Sequence, residues 1–349
     1  MNYRTLGKTG LEVSEIGYGT WQIANSPGSW VGADPQESLA SLSRYVELGG
    51  NFIDTAWVYG FDGSHPERHP SEQLIGTFLK ESSNRNKVIV ATKIPPLNFL
   101  WPARQGVPIE EVYPERRIVE CVEDSLRSLG VESLDVAQFH VWQDDFADRD
   151  EWKKVVERLT REGKVKNWGI SVNDYQPSNC LRTLDTGLIS TIQFIFNIFH
   201  QKPTEKLLPY AKEHGIGLIA RVPLDEGGLA GNFTVETEFA EGDLRSKYFS
   251  GERLPELVRR TDALKELLGD EAATLAELSL RYILSFDAIS TTIPGMRKMK
   301  NVEANAAVSD GQRLSVDLLE KLKYQAWERN FYPEGSREEG LRGAGYLGE

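Results

Sequence analysis

The stretch Val88-Ile-Val-Ala-Thr-Lys93 shows the pattern from which the fold of the chain can be predicted. Its β-branched and apolar residues are typical of a short strand buried on both faces, as in a parallel sheet, and a lysine ends the run. Seven similar runs occur along the chain, and the longer segments between them carry apolar residues with helical spacing, such as Trp152, Val155 and Leu159. We therefore predict eight strands, at residues 15–19, 51–54, 88–92, 134–139, 166–171, 191–194, 217–221 and 289–293.

Eight strands that alternate with helices predict an α/β protein with a (β/α)8 TIM barrel, because a doubly wound open sheet more often stops at about five to seven strands. Before the first strand, residues 3–14 contain two short alternating runs around Gly7-Lys-Thr-Gly10, which indicates an N-terminal β-hairpin at the barrel floor. Two helical segments, at 254–268 and 275–284, precede the eighth strand. One helix is therefore an addition to the simple repeat.

The segments rich in proline and glycine all follow predicted strands, at residues 60–70, 95–114 and 225–232. In a TIM barrel the loops that follow strands form the catalytic face, so we predict long loops on that face. None of these segments divides the chain in two. We predict one domain over residues 1–349, with residues 324–349 as a C-terminal flap.

The chain has 349 residues and a formal charge of −12, from 40 Lys and Arg against 52 Asp and Glu. An acidic surface repels phosphate backbones and anionic lipid, and no apolar run is long enough for a signal or a membrane span, so we expect neither nucleic acid nor membrane partners. Cys121 and Cys180 lie far apart without a C-x-x-C pattern, which favours a cytoplasmic protein without disulfides. Prolines beside His65 and His69 argue against a helix that would align them, so we expect no metal site.

Polar side chains stand at the ends of three neighbouring predicted strands. Asp54 ends the second strand, with Tyr59 shortly after it, Lys93 follows the third strand and His140 follows the fourth. These side chains are expected to converge, because the carboxyl ends of barrel strands meet at one face. An ammonium paired with Asp54 would lower the pKa of the neighbouring Tyr59 phenol and make it a usable proton donor. His140 would orient the same substrate oxygen, so the four residues suit carbonyl reduction.

At these residues the sequence resembles the aldo-keto reductase superfamily, from residue 3 to about residue 307. The resemblance implies that Asp54, Tyr59, Lys93 and His140 are the catalytic residues. It also implies reversible hydride transfer between NADPH and a small aldehyde or ketone, giving an alcohol, without metal or flavin. The segments that carry the resemblance are Gly17-Tyr-Gly-Thr-Trp21, Gly49-Gly-Asn-Phe-Ile-Asp-Thr-Ala-Trp-Val-Tyr-Gly60, Val90-Ala-Thr-Lys93, Ser125-Leu-Arg-Ser-Leu-Gly130 with Leu134 to His140, Gly163-Lys-Val-Lys-Asn-Trp-Gly-Ile-Ser171 and Ile293-Pro-Gly-Met-Arg297.

The sequence contains no G-x-G-x-x-G turn, so a barrel must bind the dinucleotide without a Rossmann pyrophosphate site. The resemblance places the nicotinamide against residues 19–21 and its carboxamide on Ser171 and Gln193. It places the pyrophosphate under the loop at 222–229. The glycines of that loop permit close backbone approach. The cofactor-binding residues expected in this way are Gly19, Thr20, Trp21, Asp54, Ser171, Gln193, Arg221, Val222, Leu224, Gly227, Gly295, Arg297, Lys298, Asn301 and Asn305.

Arg297 and Lys298 stand directly before a predicted helix, so two cations and backbone N–H groups would face one anion. Together with the resemblance, this predicts a clamp for the 2′-phosphate and a preference for NADPH over NADH. Two positions depart from the commoner family pattern. Val172 stands where many members have Asn, which leaves open whether Asn173 contacts the carboxamide. Arg221 stands where many members have a stacking aromatic, and its guanidinium plane could stack there or reach the pyrophosphate.

Six aromatic residues lie in loops after strands or in the tail, and several of them are expected to wall an apolar active-site mouth. We predict substrate contacts for Trp21, Trp57 and Trp142, together with Tyr59 and His140. Aromatic walls accept hydrophobic carbonyls and also stack on sugar rings, so they do not identify the substrate. The six aromatic residues are Trp21, Trp57, Phe99, Trp101, Trp142 and Phe331.

Two other functions remain open at the level of the sequence. Lys93 could act as a Schiff-base nucleophile, as the strand-end lysine of barrel aldolases does, although a lysine held in a salt bridge is a poor amine. Alternatively, the chain could be a cofactor-binding accessory subunit, because barrels of this superfamily also occur as potassium-channel β subunits. The sequence makes no prediction of the oligomeric state.

Overall fold

The structure, a computed structural model, describes residues 1–25 and 30–327, without the side chains of residues 82 and 83. Eight of its strands form one sheet in which every neighbouring pair is parallel. Each predicted strand overlaps one of these eight. The strands of the described residues are β1 (Tyr3–Thr5), β2 (Glu12–Ser14), β3 (Tyr18–Gly19), β4 (Phe52–Asp54), β5 (Ile89–Ile94), β6 (Val136–Phe139), β7 (Trp168–Ser171), β8 (Thr191–Ile195), β9 (Gly217–Arg221) and β10 (Thr291–Thr292).

Backbone hydrogen bonds join the first and last strands of this sheet and close it into a barrel. The Gly17 amide donates to the carbonyl of Thr292 over 2.7 Å, and the Thr292 amide donates to the carbonyl of Glu15 over 3.0 Å. Higher up, the Gly19 amide donates to the carbonyl of Pro294 over 3.1 Å. The predicted (β/α)8 barrel is confirmed.

Helices follow the strands and cover the outside of the barrel. Both α9 and α10 precede β10, as the two helical segments of the sequence predict. No helix of the described residues is both long and apolar enough to cross a membrane. The helices are α1 (Pro35–Glu47), α2 (Pro70–Lys80), α3 (Ile109–Val112), α4 (Glu115–Leu129), α5 (Asp150–Arg161), α6 (Leu181–Leu184), α7 (Leu207–His214), α8 (Arg245–Tyr248), α9 (Arg253–Lys265), α10 (Leu275–Leu284), α11 (Met299–Ala307) and α12 (Val316–Lys323).

The antiparallel pair β1 and β2 is the predicted hairpin, and it covers the end of the barrel where the strands begin. Leu6 and Val13 are fully buried in one cluster with Phe52, Val136 and Ile219 of the barrel strands. Burial of these side chains removes apolar area from water and seals the floor of the barrel.

Only the beginning of the predicted C-terminal flap lies within the described residues. After α12, the Trp327 amide donates to the carbonyl of Phe199 over 2.9 Å, and the two rings meet edge to face with centroids 5.5 Å apart. Residues 328–349, including Phe331, lie outside the described residues.

Candidate active site

Lys93 lies almost completely buried inside the upper end of the barrel, with 1% of its surface exposed. Its Nζ is 2.7 Å from Asp54 Oδ2, 2.7 Å from the carbonyl oxygen of Thr55 and 3.4 Å from the hydroxyl of Tyr59. Three acceptors match the three protons of an ammonium group. Burial lowers the pKa of Lys93, while the carboxylate of Asp54 acts in the opposite direction and retains the proton.

Tyr59 stands in the loop after β4, with its phenol between the buried cation and the mouth of the barrel. Lys93 Nζ is 5.0 Å from the centroid of the Tyr59 ring. The ring stacks on Trp21, with centroids 6.0 Å apart and an angle of 24° between the planes, and meets His140 edge to face at 5.8 Å. These contacts hold the phenol in one orientation while its hydroxyl remains near Lys93.

His140 directly follows β6, where its amide donates to the carbonyl of Ile94 over 3.0 Å. Its Nδ1 is buried and has no hydrogen-bond partner among the described residues, and Trp101 packs edge to face against the ring at 4.7 Å. Burial, and after it the positive charges of Lys93 and Arg221, hold the pKa of His140 well below its ordinary value. The imidazole is therefore neutral, and a neutral imidazole can donate a hydrogen bond but is a poor acid.

Each carboxylate oxygen of Asp54 accepts a hydrogen bond from a different neighbour. Lys93 occupies Oδ2, and Gln193 donates from Nε2 to Oδ1 over 2.7 Å. Ser171 is buried opposite Gln193, because the two residues are register partners in β7 and β8. From the sequence, Gln193 is expected to contact only the cofactor. Its bond to Asp54 joins residues from strands far apart in the chain, which no local spacing predicts.

The two departures from the family pattern both make contacts within the protein. Arg221 donates from Nη2 to the carbonyl of Val172 over 3.1 Å and to Asp174 Oδ1 over 2.5 Å. Asn173 accepts from the Ala103 amide over 3.1 Å and donates to the carbonyl of the same residue over 3.0 Å. The amide group of Asn173 thus fixes the loop after β5 through both of these hydrogen bonds.

The loop after β9 has an unusual backbone. Val222, Asp225, Glu226 and Gly227 have φ values of 55°, 49°, 54° and 95°, which lie in the left-handed region that only glycine adopts without strain. Asp225 turns inward and accepts a hydrogen bond from the hydroxyl of Tyr248 over 2.9 Å. Burial, and next to it the charge of Asp225, raise the pKa of Glu226 to about 7. Asp225 is therefore turned away from the loop surface, and Glu226 is partly neutral near pH 7. Successive backbone N–H groups in such turns form anion-binding concavities.

Arg297 and Lys298 lie where the sequence analysis expects them, directly before α11. Arg297 donates from Nη1 to the carbonyl of Val31 over 2.9 Å, and Lys298 is exposed at the N-cap without a side-chain capping bond. Asn301 is exposed and Asn305 is buried on the same helix. The expected cofactor residues therefore extend from the barrel mouth to the start of α11.

Gly19 and Gly295 form an isolated parallel bridge at this face, where the barrel closes. A Cβ atom at Gly19 would lie 2.7 Å from the carbonyl oxygen of Ile293, and one at Gly295 would lie 2.4 Å from the Gln22 side chain. Gly19 therefore has no room for a side chain, whereas a side chain at position 295 would require Gln22 to move. Thr20 and Leu224, also expected at the cofactor, are buried and half-buried respectively.

The structure does not bring Trp57 and Trp142 to the mouth. Trp57 is 3% exposed and donates from Nε1 to Asp124 of α4 over 3.1 Å. Trp142 is fully buried and donates from Nε1 to Thr183 over 2.8 Å. Both rings pack outside the barrel strands against helices, so their indoles are core groups. Trp21 and Trp101 are the indoles beside Tyr59 and His140.

Glu72, which the sequence analysis did not single out, is a fully buried carboxyl group in the first turn of α2. Its Oε1 accepts hydrogen bonds from Thr92 over 2.6 Å and from Ser125 over 2.7 Å, while Oε2 has no partner among the described residues. Burial raises the pKa of Glu72 to about 7.

This raised pKa gives a prediction for stability. Between about pH 4.5 and pH 7 the folded protein holds a proton on Glu72 that the unfolded chain releases, so the free energy of unfolding should fall as pH rises through this window, by about 3 kcal/mol in all. We expect Glu72→Gln to remove that loss and to be more stable than wild type at pH 8. Urea unfolding at pH 5 and pH 8 measures the effect. Glu157→Gln, at an exposed position of α5, is the matched control; the same gain there would contradict the assignment.

Cys121 and Cys180 are free and buried. In residues 1–25 and 30–327 no three side chains of His, Cys, Asp or Glu are grouped so that they could hold a metal ion.

The sequence profile of the aldo/keto reductase family matches residues 15–323, which is nearly the whole chain. The chain therefore belongs to the aldo/keto reductase family, whose members are oxidoreductases built on a TIM barrel.

Several relatives illustrate the range of this family. Aldo-keto reductase YhdN from Bacillus subtilis is 30% identical over 312 residues, covering 88% of this chain and 89% of the relative. NADH-specific methylglyoxal reductase from Escherichia coli is 28% identical and covers 86% and 91%. A probable voltage-gated potassium channel subunit beta from Arabidopsis thaliana is 26% identical and covers 97% and 100%. Among solved structures, glycerol dehydrogenase AKR11B4 from Gluconobacter oxydans matches with a TM-score of 0.74 at 26% identity, covering 93% and 94%.

Proposed function

We propose that this protein is an NADP(H)-dependent oxidoreductase that reversibly reduces an aldehyde or ketone to an alcohol, with Tyr59 as the proton donor. The observation that carries the proposal is the position of Lys93 Nζ, 2.7 Å from Asp54 and 3.4 Å from the hydroxyl of Tyr59. A buried ammonium beside a phenol stabilises the phenolate, so Tyr59 can give up its proton to a substrate oxygen at the mouth. Asp54 keeps the ammonium charged and in place.

His140 has a different role in this proposal. Because its imidazole is neutral, one ring nitrogen carries a proton and can donate a hydrogen bond to the carbonyl oxygen of a substrate. Such a bond orients the substrate and stabilises negative charge that develops on its oxygen. Trp21 and Trp101 flank the same place and exclude water from one side of it.

The residues of the upper face fit a dinucleotide, which supplies the hydride when it is bound. Ser171 and Gln193 can hold the carboxamide, and the left-handed turns between residues 222 and 227 can present backbone N–H groups to the pyrophosphate. Arg297 and Lys298 can hold the 2′-phosphate at the start of α11.

The cofactor preference follows from these two cations. We expect NADP(H) to bind at least tenfold more tightly than NAD(H), because two charge-assisted contacts to one phosphate should contribute more than about 1.4 kcal/mol. Titration of both cofactors by fluorescence or calorimetry gives the two dissociation constants. Arg297→Ala should reduce the ratio, whereas Lys154→Ala, an exposed change on α5, should not. Equal constants in the wild type would contradict a 2′-phosphate clamp, and only tighter binding of NAD(H) would match the cofactor use of the NADH-specific relative.

The general test is NADPH oxidation, followed by absorbance, with aliphatic, aromatic and sugar carbonyls, and the reverse reaction with polyols. Turnover of at least one compound supports the reductase. Tight cofactor binding without any turnover would favour the accessory subunit, which the channel-subunit relative keeps as the second candidate.

We also propose that the protein is cytoplasmic, since its two cysteines are free and buried. Its expected ligands are then the dinucleotide and a small carbonyl or alcohol substrate.

A further inference from the structure

Ser71, in the first turn of α2, is a fully buried residue whose hydroxyl joins two loops of the catalytic face. Its Oγ is 2.9 Å from Thr20 Oγ1 and 2.9 Å from Thr55 Oγ1. Its amide donates to the carbonyl of Tyr59 over 3.3 Å. One serine outside the barrel therefore contacts three segments that end at the mouth.

Each of these segments carries a part of the candidate site. The carbonyl of Thr55 accepts a hydrogen bond from Lys93 Nζ over 2.7 Å. The Thr20 amide donates to the carbonyl of Asp54 over 3.1 Å, and the next residue, Trp21, stacks on Tyr59. A shift of Ser71 would therefore change the surroundings of the ammonium and of the phenol together.

Glu72, the next residue of α2, makes a corresponding contact with β5. Its carboxyl oxygen Oε1 accepts a hydrogen bond from the hydroxyl of Thr92, the residue directly before Lys93. Side chains alternate along a strand, so Thr92 faces outward while Lys93 faces into the barrel. Glu72 thus fixes β5 from the outer side, and Ser125 of α4 supports the same oxygen.

We propose that Ser71 and Glu72 are positioning residues that set the distance between Lys93 and the hydroxyl of Tyr59 without touching the substrate. This inference rests on the proposed reductase function. The 3.4 Å separation is close to the limit of a hydrogen bond, so a displacement of a few tenths of an ångström would break the contact. Small errors of placement are costly in catalysis even when they originate away from the reacting atoms.

The first test uses Ser71→Ala. We expect kcat to fall at least tenfold while KM for the carbonyl stays within about threefold, because the substrate contacts are unchanged. Lys93 and His140 are titratable groups that contact Tyr59, and Asp54 acts on the phenol through its bond to Lys93. With Lys93 less well placed, the phenolate is less stabilised, and the alkaline limb of the pH–rate profile should move upward by at least half a unit.

The second test separates hydrogen bonding from packing at Glu72. Glu72→Gln keeps an oxygen that accepts from Thr92 and Ser125, so kcat should stay within about threefold of wild type. Glu72→Leu has a similar size but no acceptor, and kcat should fall at least tenfold. Equal rates in these two variants would overturn the role of Glu72.

Ser290→Ala is the matched control for a structural effect. Ser290 is also buried, and its hydroxyl contacts the Leu218 amide over 3.3 Å and the carbonyl of Thr5 over 3.1 Å at the barrel floor. We expect a loss of thermal stability similar to that of Ser71→Ala but a normal kcat. The role of Ser71 would be overturned if Ser71→Ala kept the kcat and the pH profile of wild type. It would also be overturned if Ser290→Ala lost as much kcat as Ser71→Ala.

A measurement without turnover keeps the two proposals distinct. The near-ultraviolet absorbance of tyrosinate, titrated in wild type and in Tyr59→Phe, gives the ionisation of Tyr59 as a difference. Repeated in the Ser71→Ala background, this titration should give a higher pKa for Tyr59. If wild type reduces no carbonyl but the pKa of Tyr59 rises in Ser71→Ala, the reductase proposal fails, while the placement of Lys93 beside Tyr59 by Ser71 is supported. An unchanged pKa of Tyr59 in Ser71→Ala overturns the positioning proposal, whatever the activity of the protein.

Discussion

Tyr59→Phe is expected to lower kcat for carbonyl reduction by at least about 100-fold, the usual effect of losing a general acid. The substitution keeps the ring that stacks on Trp21 and removes only the hydroxyl 3.4 Å from Lys93. Affinity for NADPH should stay within about threefold, because the hydroxyl serves the substrate oxygen. Single-turnover and steady-state rates with one good aldehyde, alongside a cofactor titration, measure both quantities.

His140→Ala is the comparison for this variant. Loss of a neutral hydrogen-bond donor should raise KM as well as lower kcat, since orientation of the substrate suffers in both the bound and the transition state. If Tyr59→Phe retains a nearly normal kcat, Tyr59 is not the acid and the role passes to His140. That outcome would also require His140 to be protonated, against the low pKa that its buried position produces.

Lys93→Met is expected to abolish most turnover, also by about 100-fold or more, with NADPH affinity changed by no more than a few fold. Methionine has a similar length but no charge, so the phenol of Tyr59 loses the cation that stabilises its ionised form. The variant also leaves Asp54 as a buried carboxylate held by Gln193 alone, which should cost stability. The double variant with Asp54→Asn removes that charge and is the control for folding; its kcat should remain low.

The same lysine distinguishes the reductase from an aldolase. Lys93 Nζ already donates to Asp54, Thr55 and Tyr59, so no nitrogen lone pair is free for a carbonyl carbon. Wild-type protein incubated with a ketone and borohydride should therefore gain no covalent mass. A stable adduct at Lys93 would replace the reductase proposal with the Schiff-base reaction.

The fold could be predicted from local patterns alone. Each of the eight apolar runs overlaps one barrel strand, and the run at 217–221 coincides with β9. Strand boundaries elsewhere differ by a few residues, because hydrogen bonding between strands, which local composition does not report, sets where pairing ends. The convergence of Asp54, Lys93 and His140 was also predictable, since the topology of a parallel barrel brings successive strand ends to one face.

The directions of individual loop side chains were not predictable. Trp57 and Trp142 follow strands just as Trp21 does, yet their indoles turn into the core to reach Asp124 and Thr183. An apolar ring with one polar nitrogen fits a buried site with one acceptor as well as it fits a ligand pocket. Only the neighbouring helix decides which of the two sites is available.

By itself, the sequence determined the barrel and the four polar groups at its mouth, because both follow from residue type and from spacing along single strands. The tertiary structure alone decided how those groups are held. The bond of Gln193 to Asp54, the engagement of Asn173 with Ala103 and the contacts of Ser71 each join residues distant in the chain. Such contacts depend on how helices and loops pack against the barrel, and no local periodicity encodes which hydroxyl or amide will meet which partner.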